Sequence, residues 1–198
     1  MRNKFVFGIT GPTGAGKTTA SDEFRSLGVQ VLDCDRIGHE VINDTSCKQE
    51  LTDAFGEGIL DDNGMVNRKR LGKIVFSDKA ELNKLNSITH KYIKKNVIEG
   101  IEKADGDIVG VDGAVLIGSG IDKLLDSMVS VIADDDIRLC RIMKRDGISE
   151  EDAQKRINSQ KNNEFYLENS DYIIYNNDKS IKKRVEELKA IFMNTIIN

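Results

Sequence analysis

Short apolar runs alternate along this chain with longer stretches in which apolar residues return every third or fourth position. The short runs are "KFVFGIT" (4–10), "VQVLDCD" (29–35), "DIVGVDG" (107–113), "SMVSVIA" (127–133) and "DYIIYNN" (171–177). They are short, apolar on both faces and separated by helical stretches, which predicts five strands. The helical patterns between them make the fold class α/β, a five-stranded parallel sheet flanked by helices, its strands apolar on both faces. The first helix is predicted over "GKTTASDEFRSLG", with Gly28 as its stop. The last, from about Lys179, carries Ile181, Val185, Leu188, Ile191 and Phe192 as one core-facing stripe.

The spacing of the strands is uneven. About 70 residues, nearly all helical in pattern, separate the second run from the third. Within them Asp78-x-x-Glu81 reads as a capping box. Leu82, Leu85, Ile88, Tyr92, Ile93, Val97 and Ile101 follow at helical spacing. Gly56, Gly58, Asp61, Asp62, Asn63 and Gly64 cluster as a loop. So much helix between two strands predicts a helical subdomain over one edge of the sheet. The expected organisation is a single domain over 1–198, with its core at 1–45 and 104–198 and the subdomain at about 46–103.

Composition narrows the function. The 198 residues carry a net charge of −4, with 39% hydrophobic and 31% charged residues. Such a chain has no general basic field for a nucleic-acid backbone, so nucleic acid is not expected as a partner. No apolar run approaches membrane-spanning length, and the apolar part of "MRNKFVFGIT" is too short for a signal peptide. Cys34, Cys47 and Cys140 are odd in number and lack metal-ligand spacing, which points to reduced thiols in the cytoplasm. Cys34 reads as a small buried side chain. Oligomeric state leaves no mark on the pattern.

The chemistry enters at "GITGPTGAGKTT" (8–19). Gly11-x-x-x-x-Gly16-Lys17-Thr18 is a Walker A phosphate loop, set between a predicted strand and a predicted helix as the motif requires. Gly11, Thr13, Gly14, Ala15 and Gly16 let the backbone curl into an anion nest, and the helix behind adds its positive end. Lys17 would reach the β- and γ-phosphates, the Thr18 hydroxyl would join a magnesium shell, and Thr19 would donate to the α-phosphate. A guanine-reading Asn-Lys-x-Asp is absent, since neither Asn3-Lys4 nor Asn83-Lys84 carries the aspartate. That disfavours a GTPase switch and leaves a P-loop kinase fold as the leading expectation.

A small-molecule kinase also needs an acid near the acceptor hydroxyl and a mobile lid bearing arginines. Asp33 and Asp35 end the second predicted strand two residues apart, so both are expected on one face at the sheet's carboxyl end. Asp35 is the candidate base, or the holder of a magnesium-bound water; the alternative is a cap for a helix starting at Arg36. Asp112 ends the third strand as a candidate Walker B-like acid, or as a turn residue. The lid is expected at about 136–168. There Arg138, Arg141 and Arg145 share a helical face, with Leu139, Ile142 and Met143 on the other. A turn at Asp146-Gly147 and a cap at Ser149 lead to a second helix carrying Arg156.

Taken together these segments resemble the dephospho-coenzyme A kinase family along nearly the whole chain. The phosphate loop, "LGVQVLDCDRIGHEVI", "FGEGILDDNGMVNRKRLGKIVFSDKAELNKLNSITH", "RIMKRDGIS", "RINSQ" and "SDYIIYNND" carry the resemblance. It implies transfer of the ATP γ-phosphate, with Mg2+, to the ribose 3′-hydroxyl of dephospho-CoA. By position it implies Asp35 as base, Lys17 and Arg141 on the phosphoryl charge, and Arg145 on the nucleotide. Asn176 and Asn177 would lie near the adenine of ATP. Asp33, Arg68, His90 and Asp112 would lie on the acceptor side. The chain departs from the family at His90-Lys91, where His-Pro is usual. It departs again at Ala114-Val115-Leu116-Ile117-Gly118, where Pro-Leu-Leu-x-Glu is usual, and at Phe165-Tyr166, in a stretch that often holds a basic residue. A related nucleoside or nucleotide kinase, or a nucleotide-binding protein without transfer, are the alternatives.

Overall fold

Five parallel strands, β1 (Phe5–Thr10), β2 (Gln30–Asp33), β3 (Ile108–Asp112), β4 (Ser127–Ile132) and β5 (Tyr172–Tyr175), form one sheet in the order β2-β3-β1-β4-β5. This computed structural model describes residues 4–178 and 180–197. The chain divides into two compact units, Met1–Asp33 with Ile101–Asn198, and Cys34–Gly100. No helix among the described residues is long and apolar enough to cross a membrane.

The first unit holds the sheet with α1 (Lys17–Ser26), α6 (Asp135–Asp146), α7 (Glu150–Asn158), α8 (Asn163–Glu168) and α9 (Ile181–Ile197). The inner strands β1, β3 and β4 are buried almost throughout, as a sheet covered on both faces requires. The edge strands β2 and β5 are only partly covered. Phe192 of α9 is a hub of the core, with ring centroids 4.8 Å from both Phe5 and Phe7. Ile181, Val185, Leu188 and Phe192 form the buried stripe, whereas Ile191, expected in it, is 42% exposed. One residue turns a helix by about 100°, so Ile191 and its neighbour Phe192 cannot both face inward squarely. Lys179, where the sequence starts this helix, lies outside the described residues. β1 sits between β3 and β4, where the chain's direction of winding reverses, so the loop after β1 opens at the switch point of the sheet.

The second unit is helical: α2 (Cys34–Val41), α3 (Thr45–Phe55), α4 (Arg68–Val75) and most of α5 (Lys79–Lys103). It begins at Cys34, earlier than the subdomain start near residue 46. Ile42 belongs to its core with Cys47, Leu51, Ile59, Val66, Leu71 and Val75, and Gly38 of α2 faces Ile93 of α5. The expected loop at 56–64 is a short 3-10 turn and a tight turn in which Asp61 accepts the N–H groups of Asn63 and Met65. Asn67 caps α4 by accepting from Lys69 N and Arg70 N. Asp78 starts α5 by accepting from Ala80 N at 2.7 Å, while Glu81 turns to Lys84 rather than completing a reciprocal box.

The strand predicted over "VQVLDCD" is shorter than its pattern. β2 ends at Asp33, and Cys34 and Asp35 already belong to α2, so the helix starts before Arg36 and the two aspartates do not share a strand face. Cys34, Ile37 and Val41 are buried at helical spacing, and Asp35 falls in the first turn, where the helix dipole favours a carboxylate. That amphipathic period overrides the two-residue alternation of "LDCD".

Glu50 of α3 ties two residues of α5. It accepts from Lys91 Nζ (2.7 Å) and from the Tyr92 hydroxyl (2.6 Å). The bond from Lys91, then that from Tyr92, holds the Glu50 carboxyl below its ordinary value, and the same Glu50 bond pushes the Tyr92 phenol up to about 12. Burial, with Asp44 and Glu50 nearby, pushes the Cys47 thiol up to about 11. The neutral phenol is the form the fold favours, so its contribution is complete below the unfolded value near 10 and is lost as pH rises towards about 12. We expect Tyr92→Phe to flatten the fall in thermal stability across that alkaline window; an unchanged pH profile would count against the Glu50 bond.

Candidate active site

Three glycines shape the turn from β1 into α1. Gly11, Gly14 and Gly16 have φ of 148°, 78° and 101°. A Cβ on Gly11 would lie 2.1 Å from the Val131 carbonyl oxygen, and one on Gly16 would lie 2.0 Å from Asn176 Nδ2. The loop is therefore pressed against β4 and against the segment after β5, and only glycine fits. Its outer side is bonded to distant parts of the same unit. Asn176 Nδ2 donates to Ala15 O (2.7 Å), Arg138 Nε donates to Thr13 O (3.0 Å), and Thr13 N donates to Gln160 Oε1 (2.7 Å). With its carbonyls bound outside, the loop is set to offer backbone N–H groups to a phosphate at the start of α1. Gly16→Ala is expected to break the Asn176–Ala15 bond and to lower ATP affinity at least tenfold, read by calorimetric titration.

Lys17, the first residue of α1, donates to Asp112 Oδ1, and Ser21 Oγ donates to Asp112 Oδ2 at 2.7 Å. Asp112 is 6% exposed, so a nearly buried carboxylate holds the loop lysine at the carboxyl end of β3. Asp33 is in register with Asp112 across the β2–β3 pair, and the two carboxylates leave the same face of the sheet. Thr18 and Thr19 are exposed on α1. Ser21, one helical turn beyond Lys17, has no place in the sequence motif; its i+4 spacing from the lysine is the signal that could have found it.

The predicted lid helices form as α6 and α7. Gly147 ends the first, and the Ser149 side chain accepts from Asp152 N to cap the second. The arginine face of α6 is not a solvated one. Arg138 is 1% exposed and pairs with Asp135 (2.6 Å) as well as bonding Thr13 O. Arg141 donates to the carbonyls of Gly14 and Ala15 (both 3.4 Å) and of Asn176 (2.9 Å). Arg145 reaches Thr13 Oγ1 at 3.4 Å and is paired with Asp146, which also holds Arg156. The bond from Arg145 keeps the Asp146 carboxyl below its ordinary value. This face, expected on a lid, packs on the glycine loop. Asn176 is buried and Asn177 accepts from Asp134 N (2.9 Å), so the segment after β5 is fastened to the loop and to α6.

In the second unit Arg68 Nη2 lies 2.6 Å from His39 Nε2. An arginine only donates, so His39 is the acceptor there. The sequence singled out His90, which is exposed on α5, and missed His39, whose position in the last turn of α2 gave no spacing signal. Arg68 and His39 border a pocket of about 230 Å3 walled by Ile42, Leu71, Val75 and Phe76, with Phe76 79% exposed. Asp35 is an exposed first-turn residue of α2.

Two of the departures have structural explanations. Lys91 lies within α5 and ties it to Glu50 of α3; a proline there would remove a helical hydrogen bond. Gly118 has φ of 76°, and its N–H donates to Asp122 Oδ2 while that of Gly120 donates to Asp122 Oδ1 (2.8 and 2.9 Å). This left-handed turn does not suit the glutamate usual at that place.

Known proteins fit this geometry. The family model described as Dephospho-CoA kinase matches residues 5–182. The dephospho-CoA kinase of Fusobacterium nucleatum is 38% identical over 183 residues, covering 91% of this chain and 95% of its own. That of Geobacillus kaustophilus is 35% identical over 176 residues, covering 87% and 88%. The solved structure of the dephospho-CoA kinase from Campylobacter jejuni superposes with a TM-score of 0.72 at 25% identity, covering 98% of this chain and all of that one. With its glycine loop, parallel sheet and paired arginine-bearing helices, the chain belongs to the dephospho-CoA kinase family.

Proposed function

We propose that the chain transfers the γ-phosphoryl group of ATP to the ribose 3′-hydroxyl of dephospho-CoA, the last step of coenzyme A synthesis. The observation that carries this reading is the glycine loop fixed at the switch point of the sheet, with Lys17 held there by Asp112. ATP follows from family membership. The acceptor, the residue roles and a cytoplasmic location are our own reading, with a small molecule and no nucleic acid as partner.

In this mechanism the loop N–H groups and Lys17 bind the β- and γ-phosphates, and Lys17 leaves Asp112 to do so. Asp35 accepts the proton of the 3′-hydroxyl as its oxygen attacks the γ-phosphorus and the bond to the bridging oxygen breaks. Lys17 and Arg141 balance the charge that grows on the transferring group and on departing ADP. Arg145 steadies the nucleotide from α6, and Asn176 with Asn177 borders its adenine. Arg68 and His90 serve the coenzyme side. Magnesium takes oxygen donors and keeps several waters, and the Thr18 hydroxyl with the in-register carboxylates Asp33 and Asp112 is such a donor set. Arriving with ATP, the ion would neutralise phosphate charge.

The test is an acceptor panel. Purified protein with ATP and magnesium should release ADP in proportion to dephospho-CoA, giving a product with a new 3′-phosphate by mass spectrometry. Turnover with a nucleoside and none with dephospho-CoA would transfer the assignment to a related kinase. ATP binding with no acceptor turned over would leave a nucleotide-binding protein.

A further inference from the structure

Every polar group of Thr13, in the glycine loop, is engaged by the arginine-bearing helices or the segment that follows them. Its carbonyl accepts from Arg138 Nε (3.0 Å), its hydroxyl from Arg145 Nη2 (3.4 Å), and its N–H donates to Gln160 Oε1 (2.7 Å). Gln160 closes the stretch "RINSQ" and is exposed. Its backbone is fixed, because its N–H donates to Ile157 O (3.1 Å) and Ile157 packs with Ile142 of α6 and Ala153 of α7. The side chain is fixed too. A backbone N–H only donates, so the amide oxygen must face Thr13 and the amide NH2 group faces away from it. Those two N–H donors have no hydrogen-bond partner among the described residues.

The contact does more than satisfy one N–H. Thr13 belongs to the loop whose following N–H groups, from Gly14 to Gly16, are set for a phosphate. Gln160 takes one donor of that row and presents two in its place, further from the floor of the loop. It stands where the loop is open, lining with Thr10 and Ala114 a space of about 450 Å3. A phosphate seated on the start of α1 is served by the loop and by Lys17, whereas the next phosphate outward projects beyond the loop donors. Arg138, 1% exposed and paired with Asp135, holds Thr13 from the other side, so the anchor of the amide is rigid. A donor preorganised in this way needs no rearrangement as charge develops on a group in transfer.

The geometry points to Gln160 as a further catalytic residue, whose Nε2 donates to a non-bridging oxygen of the γ-phosphoryl group during transfer. The amide keeps its own protons throughout. The bond from phosphorus to the bridging oxygen breaks as the acceptor oxygen bonds to phosphorus, and the acceptor's proton goes to the base. The inference rests on the phosphoryl transfer proposed above and holds whichever alcohol receives the group. Gln160→Glu keeps an oxygen on the Thr13 N–H and removes the donor; Gln160→Met removes both and adds no charge. Position 160 is exposed, so both variants should melt as the wild type does. Each is expected to lose about 10²-fold in kcat. Calorimetric titration reads the contact without transfer. An ATP analogue with nitrogen in place of the β–γ bridging oxygen should bind Gln160→Met about tenfold more weakly than the wild type, with ADP within about twofold. Full turnover in Gln160→Met overturns the inference and spares the function. Activity lost in Gln160→Met and kept in Gln160→Glu overturns it as well, because the anchoring of Thr13 is then all that matters. Equal weakening of ADP and the analogue overturns it too, since that marks a distorted loop. Selective weakening of the analogue, in a chain that transfers to no acceptor, supports the γ-phosphoryl contact and overturns the function.

Discussion

Lys17→Met is expected to lower kcat by roughly 10²–10³-fold, the cost of removing one charge-stabilising donor from a transferring group. The physical argument has two parts, because the same ammonium has two partners. In the structure Lys17 is held by Asp112, whose second oxygen accepts from Ser21. Removing the ammonium leaves a nearly buried carboxylate without its counter-charge, which costs about 1–3 kcal/mol of stability. Lys17→Met/Asp112→Asn removes that penalty, because a neutral amide can still meet Ser21. The double variant should therefore melt near the wild-type temperature and still fail to turn over. Recovery of activity along with stability would show that Lys17 acts on the fold and not on the phosphoryl group.

The second large effect is expected at Asp35. If this carboxylate takes the proton of the attacking hydroxyl, Asp35→Asn should lose about 10²–10⁴-fold in kcat while ATP binding is unchanged. Asp33→Asn provides the contrast. Asp33 closes β2 in register with Asp112, whereas Asp35 is an exposed residue of α2, so the two differ in surroundings despite their spacing. Asp33→Asn should act through the nucleotide phosphates, raising KM for ATP in a magnesium-dependent manner. Rate measurements across magnesium concentrations separate the two. A rate loss at Asp33 alone, with Asp35→Asn fully active, would transfer the role of base.

Several of these features were legible because local chemistry alone dictates them. The glycine loop needs positive φ at fixed places, so its sequence announces its shape. The inner strands are buried on both faces and read as predominantly apolar runs. Legibility failed where two periods compete within a few residues, as at "LDCD", where burial of Cys34, Ile37 and Val41 draws the chain into a helix. It failed again where a charged side chain packs inward. Arg138 reads as surface by type, yet it is buried because a carbonyl of the glycine loop and Asp135 receive its guanidinium. The Arg68–His39 contact joins residues 29 apart, and no pattern within either segment betrays it. Lys91 reads as a gap in the family's pattern; its bond to Glu50, 41 residues away, shows it as an inter-helix tie.

The fastening of the glycine loop has a consequence for how the chain comes into being. Ala15 is tied to Asn176 across 161 residues and Thr13 to Gln160 across 147. On a ribosome the loop emerges well before Gln160 and Asn176. A nascent chain that stops short of β5 lacks Asn176, against which Gly16 is pressed and to which Ala15 is tied. Nucleotide capture is thus a late event in biogenesis, and occupancy by ATP would report that the sheet has closed to its final edge.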